Sequence, residues 1–166
     1  MLALATVDGD AADLRTVVLR EVHAGQQTLV FFTDARSPKV AQLQAHPQAT
    51  LMVWSAALAW QLRLKARLLV QTDGAAVTSR WARMASSPAA SDYLSARAPG
   101  MALPLPLSQT QTQPEPHLEP EPDTNGPPQF AVVTATVQAI DWLELHADGH
   151  RRARFDTAGH GQWTVP

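Results

Sequence analysis

Between Trp60 and Gln71 the chain alternates: Leu62, Leu64, Ala66, Leu68 and Val70 share one parity, and Gln61, Arg63, Lys65 and Arg67 share the other. On a helix these charges would spread around the whole circumference. On a strand, successive side chains point to opposite faces, so the same residues form one dry face and one wet one. A strand this long with a single dry face needs partners on its edges and a core beneath it, which commits the chain to an antiparallel sheet.

The neighbouring segments fit that frame. Leu2 to Val7 alternates into the polar turn Asp8-Gly9-Asp10, a hairpin signal. Leu14 to Val22 reads as the returning strand, with Arg15, Val17 and Leu19 on one face and Thr16, Val18 and Arg20 on the other. After a turn at His23–Gln26, the β-branched and aromatic run Thr28–Asp34 makes a third strand. Ser37-Pro38-Lys39 supplies an N-cap and a first-turn proline for a helix reaching His46, and Pro47 ends it. Ala49–Ser55 is a short apolar strand. Asp73-Gly74 opens a helix with Val77, Trp81 and Met84 along one side, Ser87-Pro88 breaks it, and a second short helix is expected from Pro88 to Arg97. Phe130 to His146 returns to strand, turns at Asp148-Gly149, and the pattern ends with Arg151 to Phe155. Strands in hairpins, without βαβ units, predict a mainly β protein: a β-barrel with peripheral helices.

A length of 166 residues fits one domain over 1–166. Composition interrupts it once. From Met101 to Pro128, Pro, Gln, Thr and Glu dominate, too few apolar groups to offset the cost of ordering, so a flexible excursion is expected at about 104–128. A net charge of -2 argues against a nucleic-acid binder that relies on overall basicity. The lack of cysteine removes disulfides, thiolate metal sites and a thiol nucleophile. No run is long enough to span a membrane, and the N-terminus lacks the basic start and long apolar core of a signal peptide, so a cytoplasmic location is the default expectation.

One residue is awkwardly placed. Lys39 falls in the first turn of a helix, where the macrodipole is already positive. An anion would relieve that: free helical N–H groups, the Ser37 hydroxyl and the Lys39 ammonium together suit a phosphate. The alternative is a solvated lysine costing a few tenths of a kcal/mol. Arg15 and Arg20 add two planar guanidinium forks suited to phosphate, or else two strand arginines that snorkel to water.

In order and spacing, Arg15-Thr-Val-Val-Leu-Arg20, Phe31-Phe-Thr-Asp34, Ser37-Pro-Lys39 and Trp60-Gln-Leu-Arg63 resemble the pyridoxamine 5′-phosphate oxidase superfamily. The likeness resumes at Trp142 and at His150–Phe155. It implies an FMN-binding split β-barrel, a homodimer with FMN at the subunit interface, and flavin oxidoreductase chemistry. Carried over by position, Arg15 and Lys39 hold the FMN phosphate with Ser37 nearby. Thr16, Val17 and Val18 run beside the flavin ring, Thr33 touches it from the next strand, and Arg20 belongs to the same set. Gln61 approaches from the second subunit, and Trp142 and Arg154 close the site, although core packing is the competing role for Trp142. A shared face for Trp142 and Arg154 requires a three-residue loop Ala147–Gly149 with positive φ at Gly149; a two-residue turn would set Trp142 opposite Phe155 instead.

Departures from the family pattern bear on the substrate. The family's Tyr–Arg–Ser clamp is not found around Arg80–Ser87, and its Arg-Leu-His appears permuted as His150-Arg151-Arg152. The reading is therefore a related FMN-binding branch of unassigned substrate, with no catalytic residue named and pyridoxamine 5′-phosphate not expected to be turned over. A non-catalytic flavin or haem binder on the same barrel is the alternative. No metal site is expected, since the six histidines form no helical i, i+4 pair and no zinc spacing.

Overall fold

The computed structural model describes residues 1–102 and 129–166, so the excursion expected at about 104–128 lies outside the described residues. The strands are β1 (Leu2–Asp8), β2 (Ala11–Val17), β3 (Leu19–His23), β4 (Thr28–Asp34), β5 (Gln48–Ser55), β6 (Trp60–Gln71), β7 (Phe130–Glu144), β8 (Arg151–Asp156) and β9 (Gly161–Thr164). Two helices, α1 (Pro38–Ala45) and α2 (Ala75–Met84), and a 3₁₀ segment Pro88–Tyr93 complete the main elements. Among the described residues no helix is long and apolar enough to cross a membrane.

All pairings are antiparallel, in the order β2-β1-β5-β6-β7-β4-β3. The two ends of that path, β2 and β3, are separated in the chain by Val18 alone. A sheet whose opposite edges are joined by one residue must curl back on itself, which produces the split barrel. β6 covers one edge of β7 along most of its length, so β4 and β8 share the other edge, β4 over Phe130–Thr136 and β8 over Ala139–Glu144. Inside the barrel lie Leu4, Phe31, Leu51, Ala66, Val133 and Ala135, each fully buried, and α1 adds Leu43 to the same cluster. A second apolar layer on the other side of β4 and β7 joins Val30, Phe130 and Val132 to Val77 and Met84 of α2 and to Tyr93. β4 and the first half of β7 are thus buried on both faces, which is why Phe130–Val133 reads as an unbroken apolar run.

Several expectations are corrected. The single strand from Leu14 to Val22 is two strands, because Val18 pairs with neither ladder and β3 carries a bulge between Leu19 and Glu21. The second helix is only the 3₁₀ segment, which stops short of Arg97. A further strand, β9, follows β8 and pairs with it; its sequence Gly161-Gln-Trp-Thr164 is too short and polar to show a period.

The β7–β8 loop is longer than either turn considered. The ladder ends at Glu144–Arg151, and Trp142 stands opposite Ala153 while Asp141 stands opposite Arg154. Gly149 does have positive φ, at 117°. The loop opens early because side chains take over its backbone: the His146 N–H donates to His150 Nδ1 and the Asp148 N–H to His146 Nδ1, each at 3.2 Å. Trp142 and Arg154 therefore lie on opposite faces of the sheet, and the shared face expected of them is not formed.

Candidate functional site

The break at Val18 and the N-terminus of α1 meet at one cleft. It is lined by Thr16, Val17, Val18 and Arg20, by Phe32 and Thr33 of β4, by Lys39 of α1, and by Asp92 and Tyr93. Its volume is about 190 Å³. Backbone irregularity builds it: Val18 belongs to no ladder, and in β3 the bulge gives Arg20 no partner of its own, the usual way a strand re-aims a side chain. The Arg20 guanidinium lies 5.9 Å from the Phe32 ring centroid.

Lys39 is the chemically expressive group. Its ammonium donates to Thr33 Oγ1 at 3.0 Å and to Ser37 Oγ, and among the described residues it forms no ion pair. Ser37 stands at the N-cap position but makes no side-chain cap, because its hydroxyl is turned to Lys39 instead. Burial pushes the Lys39 ammonium below its ordinary pKa, and the neighbouring Arg15 charge pushes it the same way, only partly offset by Asp34 and Asp13. A half-buried cation at a helix N-terminus, hydrogen-bonded only to hydroxyls, is short of one anion. The donor set fits a phosphate.

Arg15 sits beside this group but faces inward, to Asp13, Gln42 and Thr6. Asp34, which could have quenched Lys39, is engaged elsewhere: its carboxylate takes the Arg36 backbone N–H at 2.7 Å and the Arg36 guanidinium at 2.7 Å. Arg36 in turn donates to the carbonyls of Ser95 and Ala96, pinning the segment after Tyr93 near the cleft.

Of the residues expected from sequence, Thr16, Val17, Val18, Arg20, Thr33 and Lys39 share the cleft wall, with Ser37 joined through Lys39. Gln61, Arg154 and Trp142 are not brought to it. Gln61 and Arg154 lie on the outer face of β6–β8, with Gln61 opposite Leu143 and Arg154 opposite Asp141. Trp142 lies on the other face, where its ring meets Trp60 at 5.4 Å and Trp163 at 6.1 Å. Sequence reasoning missed Tyr93 and Asp92, because it sought substrate contacts on α2. There Arg80 and Arg83 are tied to Glu21. The Tyr93 phenol is pushed up by burial and drawn back by Arg20.

The outer face carries a second charged group. The Asp141 carboxylate receives Arg63 at 2.6 Å, Arg152 at 2.8 Å and Arg154 at 3.3 Å. The hydrogen bond from Arg152, then Arg63, holds its carboxyl far below the ordinary carboxylate range. A hollow of about 330 Å³, lined by Thr50, Arg63, Lys65, Asp141 and Arg154 among others, opens beside it. A carboxyl whose folded pKa is depressed contributes stability that is complete above its unfolded value, near 3.8, and is lost progressively as pH falls from there toward the depressed folded value. Asp141→Asn is expected to cost roughly 1.5–3 kcal/mol at pH 7, and the gap to wild type should be smaller at pH 3, where the unfolded carboxyl is already taking up protons and the folded one is not. Urea unfolding at the two pH values checks this; an equal gap at both would contradict the assignment.

Comparison with known proteins places this geometry. The family model described as pyridoxamine 5′-phosphate oxidase, FMN-binding domain, matches residues 1–72. The match covers the first six strands and α1, through the end of β6. The matched span contains Arg15, Arg20, Thr33, Ser37, Lys39 and Gln61. A pyridoxine/pyridoxamine 5′-phosphate oxidase of Thermosynechococcus vestitus is 43% identical over 65 residues, 39% of this chain. That stretch spans 30% of the relative's own length. Among solved structures, a pyridoxamine 5′-phosphate oxidase-related, FMN-binding protein of Nostoc punctiforme superposes with a TM-score of 0.72 at 25% identity, covering 99% of this chain and 87% of the other. PhzG of Burkholderia lata, solved with tetrahydrophenazine-1-carboxylic acid, gives 0.71 at 17% identity over 99% and 81%. A haem-binding protein of Mycobacterium smegmatis shares the fold at a TM-score of 0.50 and 14% identity, covering 99% of this chain and 52% of that one. The family match thus takes in the cleft residues from Thr16 to Lys39 but not Asp92 and Tyr93, and the likeness of fold extends over 99% of the chain.

Proposed function

We propose that the protein binds FMN in the Lys39 cleft and acts as an FMN-dependent oxidoreductase, working as a homodimer on a small-molecule substrate. The observation that carries this is the Lys39 ammonium: partly desolvated, bonded among the described residues only to Thr33 and Ser37, and set at the start of α1. It would hold the phosphate with Ser37, while Arg20 and the unladdered peptide at Val18 border the rest of the molecule. Bound flavin supplies the hydride or electron transfer; the protein positions it and tunes it by hydrogen bonding.

The size of the cleft supports a second subunit. Pockets that enclose a small molecule run to roughly 300–1,000 Å³, and this cleft offers about 190 Å³. A second surface closing over the ring would supply the remaining enclosure. The outer face of β6–β8, with Gln61, Arg63 and Arg154, is a basic surface suited to that task in a partner chain. Haem receives no support from the cleft, because none of the described histidines lines it.

The test of oxidoreductase function is turnover. FMN-loaded protein mixed with an electron donor and an acceptor should cycle between reduced and oxidised flavin absorbance. Flavin that binds but is neither reduced nor reoxidised across a panel of donors would leave a binder in place of an enzyme.

A further inference from the structure

We propose that Asp13 is a built-in competitor for the cofactor phosphate, holding the Arg15 guanidinium until the phosphate takes it over. The proposal rests on the FMN reading above. The Arg15 fork is already committed within the chain. Nη1 is directed to Thr6 Oγ1 and, at 3.5 Å, to the Leu4 carbonyl. Nη2 is directed to Asp13 Oδ2 and, at 2.9 Å, to Gln42 Oε1. With both terminal nitrogens engaged, Arg15 cannot present a two-pronged donor to phosphate unless a partner leaves.

The partners differ in their freedom to do so. Thr6 and Gln42 are buried, at 3% and 6% exposure, and are bonded to each other at 2.7 Å. The Asp13 side chain is 43% exposed, lies on β2 at the end of the sheet path, and can rotate into water. It is also the one charged partner. With Asp13 in place, Arg15 has an internal counter-ion; with Asp13 turned out, and Asp34 held by Arg36, Arg15 and Lys39 are left to meet a dianionic phosphate. Asp13 lowers the cost of keeping Arg15 and Lys39 together without ligand, and its negative field opposes the ligand that replaces it. Gln42 stays behind to orient the guanidinium in both arrangements.

Asp13→Asn keeps the size and the hydrogen bond from Gln42 Nε2, now 3.0 Å, while removing the charge. FMN and riboflavin titrations followed by flavin fluorescence, on the full chain, separate the possibilities. Asp13→Asn should bind FMN about tenfold more tightly than wild type, the scale of one charge-assisted contact, with riboflavin affinity unchanged. Asp13→Ser, too short to reach Arg15, should behave the same way, so a folding defect in one variant leaves the other decisive. Unchanged or weaker FMN binding in these variants would overturn the proposal, and if Lys39→Ala still abolished the preference for FMN over riboflavin, the flavin reading would survive that failure. No FMN preference in wild type, or one that Lys39→Ala leaves intact, would overturn both.

Discussion

Lys39→Ala should weaken FMN binding by roughly 1.5–3 kcal/mol, about 10- to 100-fold, and leave riboflavin nearly untouched. The two flavins share the ring and ribityl chain, and differ in the phosphate that Lys39 is placed to hold. The size of the effect follows from where the ammonium sits. Its bonds to Thr33 and Ser37 take it partly out of water, so the phosphate contact is less screened than one at the surface. The same burial gives a pH signature. Lys39 loses its proton below the ordinary lysine value of 10.5, and the phosphate contact needs the charged form. The ratio of FMN to riboflavin affinity should therefore fall as pH rises through the lowered Lys39 pKa, before an ordinary lysine would titrate. Taking the ratio removes whatever the ring itself does with pH. A ratio that holds steady up to pH 10.5 would show that Lys39 is not the phosphate ligand.

Phe130→Ala should cost roughly 3–5 kcal/mol of stability, about 10 °C in melting temperature. Phe130 is 2% exposed and its ring meets Phe32 at 5.0 Å, Tyr93 at 5.0 Å and Trp81 at 5.3 Å. It is the post on which α2 and the 3₁₀ segment rest against β4 and β7. Two of its neighbours, Phe32 and Tyr93, also form the cleft wall. The cavity left by the deleted ring would loosen that wall, so FMN affinity should fall as well, measured at a temperature where the variant is fully folded. Thermal unfolding that matched wild type would contradict the packing described.

Sequence periodicity recovered most of the sheet. β6 was legible to its end residues because alternation over its whole length is incompatible with a helix, and the Ser37–Pro38 start of α1 followed from capping chemistry. What escaped was register. Val18 and the Arg20 bulge interrupt a run with no Gly or Pro to mark it, since the interruption comes from closing the sheet and not from local propensity. The β7–β8 loop escaped because imidazole nitrogens, and not turn residues alone, satisfy its backbone. That one shift of register separates Trp142 from Arg154. Within the site, the cations were visible as residues in unfavourable places. Tyr93 and Asp92 were not, because a 3₁₀ segment has no apolar period to announce which side faces a cleft. Nor could spacing show that Arg15 is already held by Asp13 and Gln42.

The central claim, FMN held by its phosphate in the Lys39 cleft, is tested most directly by the absorption spectrum of the full chain after incubation with FMN and removal of free ligand by gel filtration. Oxidised-flavin bands retained at one FMN per chain, and lost when riboflavin replaces FMN or when Lys39 is changed to Ala, are the predicted result. A colourless protein, equal retention of riboflavin, or a Soret band from co-purified haem in place of flavin would contradict it.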